Sequence, residues 1–173
     1  MILQAFARHA PASWLLVLVP RHPQRFDEVA ALIEQAGLPY QRRSNEIRIS
    51  YDTRVVLGDS MGEMPSYYTA SDVAFIGGSL LPFGGQNLIE AAACGVPVLI
   101  GPHTYNFARV ADMAEARGAA RRVENADDLM AVANELLQAE QEREAMGQDA
   151  LRFAQAHRGA TGKVLALIAK DLI

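Results

Sequence analysis

The chain has 173 residues, 50% hydrophobic and 21% charged, with a formal net charge of −4 from 16 basic and 20 acidic side chains, the composition of one soluble globular domain. Without a basic excess, counterion release has little to drive nucleic-acid binding, and a single cysteine, Cys94, excludes an internal disulfide. His9, His22, His103 and His157 include no i, i+4 pair to bind zinc on a helix face, and the apolar runs 14–19 and 91–100 are too short to span a bilayer.

The first ten residues carry Ile2, Leu3, Phe6 and Ala10 at helical spacing, with no Ser, Thr, Asp or Asn ahead of them as an N-cap. The chain is therefore expected to begin inside an element of something longer, a frayed natural first helix being the other reading. Arg8 and His9 fall within the pattern and no small-residue cleavage site follows, so no signal peptide is expected. Residues 14–19 are continuously apolar and stop at Pro20, which predicts a strand buried on both faces and hence a parallel sheet. Similar strands are predicted at 38–42, 54–57, 72–76, 97–100 and 119–123, with helices at 26–36, 64–70, 87–94, 107–117 and 127–137. This alternation predicts right-handed βαβ units in a doubly wound, Rossmann-like α/β fold, with helices on both faces of a parallel sheet. From residue 139 the pattern is helical to the end, with candidate breaks at Gly147, Gly159 and Gly162. The expected division is therefore a sheet domain over 1–138 and terminal helices over 139–173 that pack on it.

In an open parallel sheet, ligands bind beyond the carboxyl ends of the strands, where loops diverge and the next helices present unpaired amides. Four loops there are unusual: Pro20-Arg-His-Pro23, Gly58-Asp-Ser-Met-Gly-Glu63, Gly77-Gly-Ser-Leu-Leu-Pro-Phe-Gly-Gly-Gln-Asn87 and Gly101-Pro-His-Thr-Tyr-Asn106. In the third, two glycine pairs bracket a turn that opens a helix at Asn87, so the Asn87, Leu88 and Ile89 amides form a candidate anion socket. Glu90, one turn along, is placed to accept from both hydroxyls of a ribose. A glycine-rich turn with an ordinary helix-start glutamate explains the same residues without a ligand.

Arg21 offers a planar fork suited to phosphate or carboxylate, and His22 a group that donates or accepts; solvated surface residues are the other reading of both. The 58–63 loop is suited to wrapping a base with backbone groups, Gly62 permitting close approach, though capping of the next helix by Asp59 or Ser60 explains it equally. Asn106 reads as the N-cap of the following helix, and His103 is a weak candidate. Val29, Leu32, Ile33 and Leu129, Val132, Leu136 form core faces.

Taken together, Pro20-Arg-His-Pro-Gln-Arg-Phe26, Gly58-Asp-Ser-Met-Gly-Glu63, Phe75-Ile-Gly-Gly-Ser79, Gly84-Gly-Gln-Asn-Leu-Ile-Glu90 and Gly95-Val-Pro-Val-Leu-Ile-Gly-Pro-His-Thr-Tyr-Asn-Phe107 resemble the C-terminal half of bacterial 3-deoxy-D-manno-octulosonic acid (Kdo) transferases. These are GT-B glycosyltransferases of lipopolysaccharide biosynthesis that move Kdo from CMP-Kdo to a lipid A precursor. The resemblance covers nearly the whole chain; the glycine-rich loop with its helix glutamate is shared more widely among GT-B enzymes.

The resemblance implies that the donor nucleotide is held by Pro20, Arg21 and His22, by Met61, Gly62 and Glu63 near the base, by Gly78, Ser79, Gly84 and Gly85, and by Asn87, Leu88, Ile89 and Glu90 at phosphate and ribose. Gln86 stands where the family often has histidine; it keeps a donor but cannot titrate. The resemblance further implies an N-terminal half, outside this sequence, with the catalytic acidic residue, the acceptor surface and the membrane attachment. No catalytic residue, metal site or cofactor is therefore expected in this chain, which should hold CMP or CMP-Kdo without transferring the sugar. The full-length protein would sit at the cytoplasmic face of the bacterial inner membrane, and this chain alone is expected to be soluble.

Three other functions fit parts of the sequence. A dinucleotide-dependent oxidoreductase would carry Gly-x-Gly-x-x-Gly after the first strand, where Pro20-Arg-His-Pro23 stands instead. A GT-B donor domain for a uridine nucleotide would use the same socket, and a non-catalytic interaction module would dock through the helices from Glu140.

Overall fold

The computed structural model describes residues 1–157; the candidate breaks at Gly159 and Gly162 lie outside the described residues. In chain order the elements are α1 (Ile2–His9), β1 (Leu16–Leu18), α2 (Phe26–Gln35), β2 (Tyr40–Arg42), β3 (Val55–Leu57), α3 (Met64–Thr69), β4 (Ala74–Phe75), α4 (Ile89–Ala93), β5 (Val98–Ile100), α5 (Ala108–Ala116), β6 (Ala120–Arg122), α6 (Ala126–Gln138) and α7 (Glu140–Ala156). Short 3-10 turns at Pro23–Arg25 and Arg43–Asn45 precede α2 and follow β2. Every strand and helix predicted within the described residues is found, the strands trimmed to the residues that pair.

All strand pairs are parallel, and they form two three-stranded sheets, in the orders β1-β3-β2 and β4-β5-β6. The α/β layering is as expected, but the ladder is not continuous. Alternation of side chains across a strand distributes β5 between two cores. Leu99 packs with Ala5, Phe6, Leu129 and Leu136 from α1 and α6, while Val98 and Ile100 pack with Ala91, Ala111, Ala150 and Phe153 from α4, α5 and α7. Helices thus cover both faces of the second sheet.

β1 departs from expectation. It is half-buried along its length and Leu15 is 43% exposed, because β1 has a partner, β3, on one side only. The chain entering it is fixed by Arg54, whose guanidinium lies 5.2 Å from the Phe6 ring centroid and donates to the Ala10 and Pro11 carbonyls at 3.1 and 3.0 Å.

α6 starts one residue before its predicted boundary because Asn125 caps it, its side-chain oxygen accepting from the Asp127 and Asp128 amides. Asp127 in that first turn pairs with Arg8 at 2.8 Å and His9 at 3.1 Å, tying α1 to α6. α7 runs through Gly147 without a break. This glycine serves close approach: a Cβ there would lie 2.4 Å from the Gly95 carbonyl oxygen, so glycine lets α7 lie directly on the turn that ends α4.

Candidate functional site

Parallel strands deliver all four unusual loops to one edge of the molecule, beyond the carboxyl ends of β1, β3, β4 and β5. The 77–87 loop is closed at its base by Gly85 N–H donating to Gly78 O at 2.9 Å and Gln86 N–H to Gly77 O at 3.1 Å. Gly78, Gly84 and Gly85 all take positive φ, at 74°, 87° and 75°, which a side chain would strain. Gly84 also has no room: an added Cβ would meet the Asn106 side chain at 2.4 Å.

Asn106 is not the helix cap it was expected to be; the N-cap of α5 is Phe107. Its side-chain amide instead donates to the Phe83 and Gly85 carbonyls at 3.2 and 3.4 Å, and its backbone N–H to Gly84 O at 3.2 Å. The neighbouring Tyr105 hydroxyl donates to Pro82 O at 2.6 Å. The loop after β5 therefore clasps the loop after β4. An Asn six residues past a strand was the available signal, but a cap was the nearer explanation.

Ser79 is fully buried, and both roles of its hydroxyl are used inside the fold: it donates to Ile76 O at 2.5 Å and accepts from Gly101 N–H at 2.8 Å. Its hydroxyl therefore positions the loop, and His103 N–H donates to its carbonyl at 2.9 Å.

The candidate anion socket differs from the one predicted in which amides lack an acceptor. α4 begins at Ile89 rather than Asn87 and is five residues long, so little helix dipole accumulates. The Ile89 amide is already engaged by the Asn87 side-chain oxygen at 3.0 Å. Among the described residues, the amides of Asn87, Leu88 and Glu90 have no acceptor. Leu88 offers only its backbone, since its side chain is 2% exposed in the core. Glu90 is exposed, and among the described residues its carboxylate has no hydrogen-bond or ion-pair partner. It lies close enough to Tyr68 that its charge adds to burial in raising that phenol's pKa.

Arg21 is exposed directly after β1 and Pro20, and its guanidinium donates to the Gln86 side-chain oxygen, so the first and third loops meet there. His22, also exposed, has no side-chain partner among the described residues; its backbone leads into the Pro23–Arg25 turn.

The 58–63 loop is held from behind. Asp59 does not cap α3: its carboxylate, 4% exposed, accepts the Ser44 N–H at 2.8 Å and hydroxyl at 2.7 Å, with Arg42 at 3.7 Å. The N-cap of α3 is Glu63, and its carboxylate is occupied by Ser60, by Arg43 at 2.9 Å and by Tyr67 at 3.3 Å. The Ser60 hydrogen bond, joined by Arg43 and Tyr67, holds the Glu63 carboxyl below its ordinary pKa against the upward push of partial burial. Glu63 thus orders the loop, and what the loop presents outward is backbone around Gly62 (φ 80°) and the Met61 side chain, 65% exposed. Arg43 and Ser44 were missed by sequence reading because they come from another element and no local spacing ties them to this loop; Tyr67, four residues after Glu63 in α3, carried the one local signal.

These loops together carry a cation, amides without an acceptor and, among the described residues, a carboxylate without a partner, a set suited to one phosphoryl group with a hydroxyl-bearing sugar beside it. Among the described residues no group of three or more His, Cys, Asp or Glu is disposed to hold a metal, and no helix is long and apolar enough to cross a membrane.

Residues 23–153 match the family described as Glycosyl transferases group 1. A 3-deoxy-D-manno-octulosonic acid transferase of Bordetella pertussis is 49% identical over 94% of this chain and 38% of its own length. One from Haemophilus influenzae is 40% identical over 89% of this chain and 36% of its own. The chain thus spans well under half the length of these relatives. Among solved structures, the C-terminal CMP-Kdo binding domain of WaaA from Acinetobacter baumannii superposes with a TM-score of 0.84 at 34% identity, covering 89% of this chain and 81% of that one.

Proposed function

The chain belongs to the group 1 glycosyltransferases and, among them, to the 3-deoxy-D-manno-octulosonic acid transferases, and from that membership we propose that it is the half of such an enzyme that holds the CMP-Kdo donor. The observation that carries the reading is the hydrogen bond from Arg21 to Gln86, which joins the loop after β1 to the loop whose next residues supply the unengaged Asn87, Leu88 and Glu90 amides and the Glu90 carboxylate.

In this reading Arg21 and the amides receive the single phosphate of CMP. Charge-assisted hydrogen bonds of this kind contribute about 1.5–3 kcal/mol each. Glu90 accepts from the ribose hydroxyls, and the backbone of Met61, Gly62 and Glu63 lies against the base. Gly78, Gly84 and Gly85 keep the backbone bare enough for close approach, and Pro20 and His22 border the phosphate. One phosphate on Arg21 and fixed amides requires no divalent cation for charge balance. As CMP departs in the complete transferase, the same donors stabilise the growing phosphate charge without reorganising.

The remaining parts of the proposal concern the longer protein. The acceptor is a lipid A precursor, its hydroxyl is deprotonated by an acidic residue outside this sequence, and the enzyme works in lipopolysaccharide assembly at the cytoplasmic face of the inner membrane. Residues 1–138 form the donor domain and α7 (Glu140–Ala156) packs on it. By itself the chain binds donor and does not transfer.

Calorimetric titration with CMP, UMP, UDP and NAD tests the reading. Tightest binding of CMP is expected. A preference for UDP points to a uridine-linked donor, NAD alone to a dehydrogenase-like domain, and no binding of any removes the nucleotide site.

A further inference from the structure

We propose that Arg122, the last residue of β6, is a positioning residue for the donor crevice: its guanidinium fixes the loop after β5, and that loop fixes the glycine turn leading to the Asn87, Leu88 and Glu90 amides. The role rests on the CMP-holding reading above and adds to it a residue that acts on the nucleotide only through the loop.

Arg122 lies level with Ile100 in the parallel register, so its side chain stands beside the point where β5 gives way to its loop. All three guanidinium nitrogens are engaged. Nε donates to Glu115 at 3.1 Å and one terminal nitrogen to Asp112 at 3.2 Å, both on α5, while the other terminal nitrogen donates to Gly101 O at 3.1 Å and to the Thr104 hydroxyl oxygen at 3.2 Å. A rigid planar fork can serve two carboxylates on one side and a loop on the other, which the single nitrogen of lysine cannot. Gly101 is thereby held at both of its polar groups, the N–H by the Ser79 hydroxyl and the carbonyl by Arg122.

The hold passes along the loop. Tyr105 and Asn106, next after Thr104, donate from their side chains to the Pro82, Phe83 and Gly85 carbonyls, and the Asn106 N–H donates to Gly84 O. The Gly85 and Gln86 amides close that turn on Gly78 and Gly77, and Asn87 follows directly. Hydrogen bonds and short stretches of chain thus lead from Arg122 to the amides without a gap. Arg121, one residue earlier, projects from the opposite face of the strand and pairs with Glu135 at 2.9 Å and Glu142 at 3.7 Å, on α6 and α7. Among the described residues its side chain has no hydrogen bond to either loop. Two adjacent arginines therefore divide a loop-holding role from a helix-holding one.

Calorimetric titration with CMP, well below the unfolding temperature, on the parent chain, Arg122→Met and Arg121→Met tests the assignment. Affinity should fall about 5-fold or more in Arg122→Met and stay within about 2-fold of the parent in Arg121→Met, although both lose two ion pairs. Without nucleotide, exchange of the Gly85 and Asn106 amides should quicken by about 10-fold or more in Arg122→Met while the Leu99 amide in β5 keeps its rate, whereas general destabilisation would quicken all three. Arg122→Met combined with Asn106→Ala should weaken CMP by less than the product of the two separate effects, since either change alone frees the same loop. Unchanged affinity in Arg122→Met, an equal fall in Arg121→Met, Leu99 quickening alongside Gly85, or full additivity with Asn106→Ala overturns the proposal. A parent chain that binds no CMP overturns the nucleotide reading itself, and this role with it, before any variant is compared. Should Arg122→Met fail to fold, Thr104→Val, which removes only the hydroxyl that Arg122 grips, must weaken CMP by about 2-fold or more, and unchanged affinity there overturns the proposal equally.

Discussion

The Ser79 hydroxyl accepts the Gly101 N–H at 2.8 Å, and a Cβ on Gly101 would meet the Ser79 carbonyl oxygen at 2.3 Å. Two backbone turns, after β4 and after β5, are thus locked face to face by one buried hydroxyl. Ser79→Ala removes that acceptor and leaves a buried N–H unpaired, which costs about 1–3 kcal/mol. Urea denaturation should show that loss, and CMP affinity should fall with it because the loop carrying Gly84 and Gly85 is released. Unchanged stability would mean the hydroxyl is dispensable to the clasp.

Glu90 makes the opposite prediction. It is exposed and without a partner among the described residues, so Glu90→Ala should leave stability within about 0.5 kcal/mol of the parent. CMP binding should weaken by about 1–3 kcal/mol through the lost ribose hydrogen bonds, measured by calorimetry. Equal affinity in the variant removes Glu90 from the site.

Glu63 has a carboxyl held below its ordinary value of 4.5 by Ser60 first and then by Arg43 and Tyr67. A carboxylate with a lowered pKa in the folded protein stabilises the fold above its unfolded-state value, and that contribution disappears as pH falls through the folded value. Stability of the parent should therefore decline below about pH 4.5. Glu63→Gln should be less stable than the parent at pH 7 and lose less on acidification, as read from denaturation midpoints across pH 3–7.

Gly147→Ala sets helix propensity against packing. Alanine is favoured over glycine inside a helix by about 1 kcal/mol. The new Cβ, however, would lie 2.4 Å from the Gly95 carbonyl oxygen, and backbone on both sides leaves nothing flexible to yield. Overpacking of this kind costs about 1–3 kcal/mol, so the clash wins and thermal unfolding should shift to lower temperature. A raised midpoint would show that α7 is free to ride off the α4 turn.

What was legible in the sequence was local in origin. Runs such as Val98–Ile100 are apolar because both faces of the strand are covered, and this pattern located every strand within two residues at either end. The loop chemistry was legible in the same way: Gly84 and Gly85 announce positive φ, and Arg21 follows a strand directly. The start of α4 was misjudged because an Asn before a helix reads as its first residue or its cap, whereas here the Asn87 side chain takes up the Ile89 amide two residues on.

Residue order alone determined that strands alternate with helices, that the unusual loops share one edge and that a cation, amides and a carboxylate are available there, because each follows from spacing along the chain. Tertiary structure decided which of those groups are free. Ser79 and Glu63 are consumed by Gly101, Arg43 and Tyr67, Asn106 grips a loop some twenty residues away, and β1 is left with one neighbour. A hydrogen-bonding group has few partners to give, and competitors such as Gly101 and Arg43 come from distant parts of the chain, where no local pattern records them.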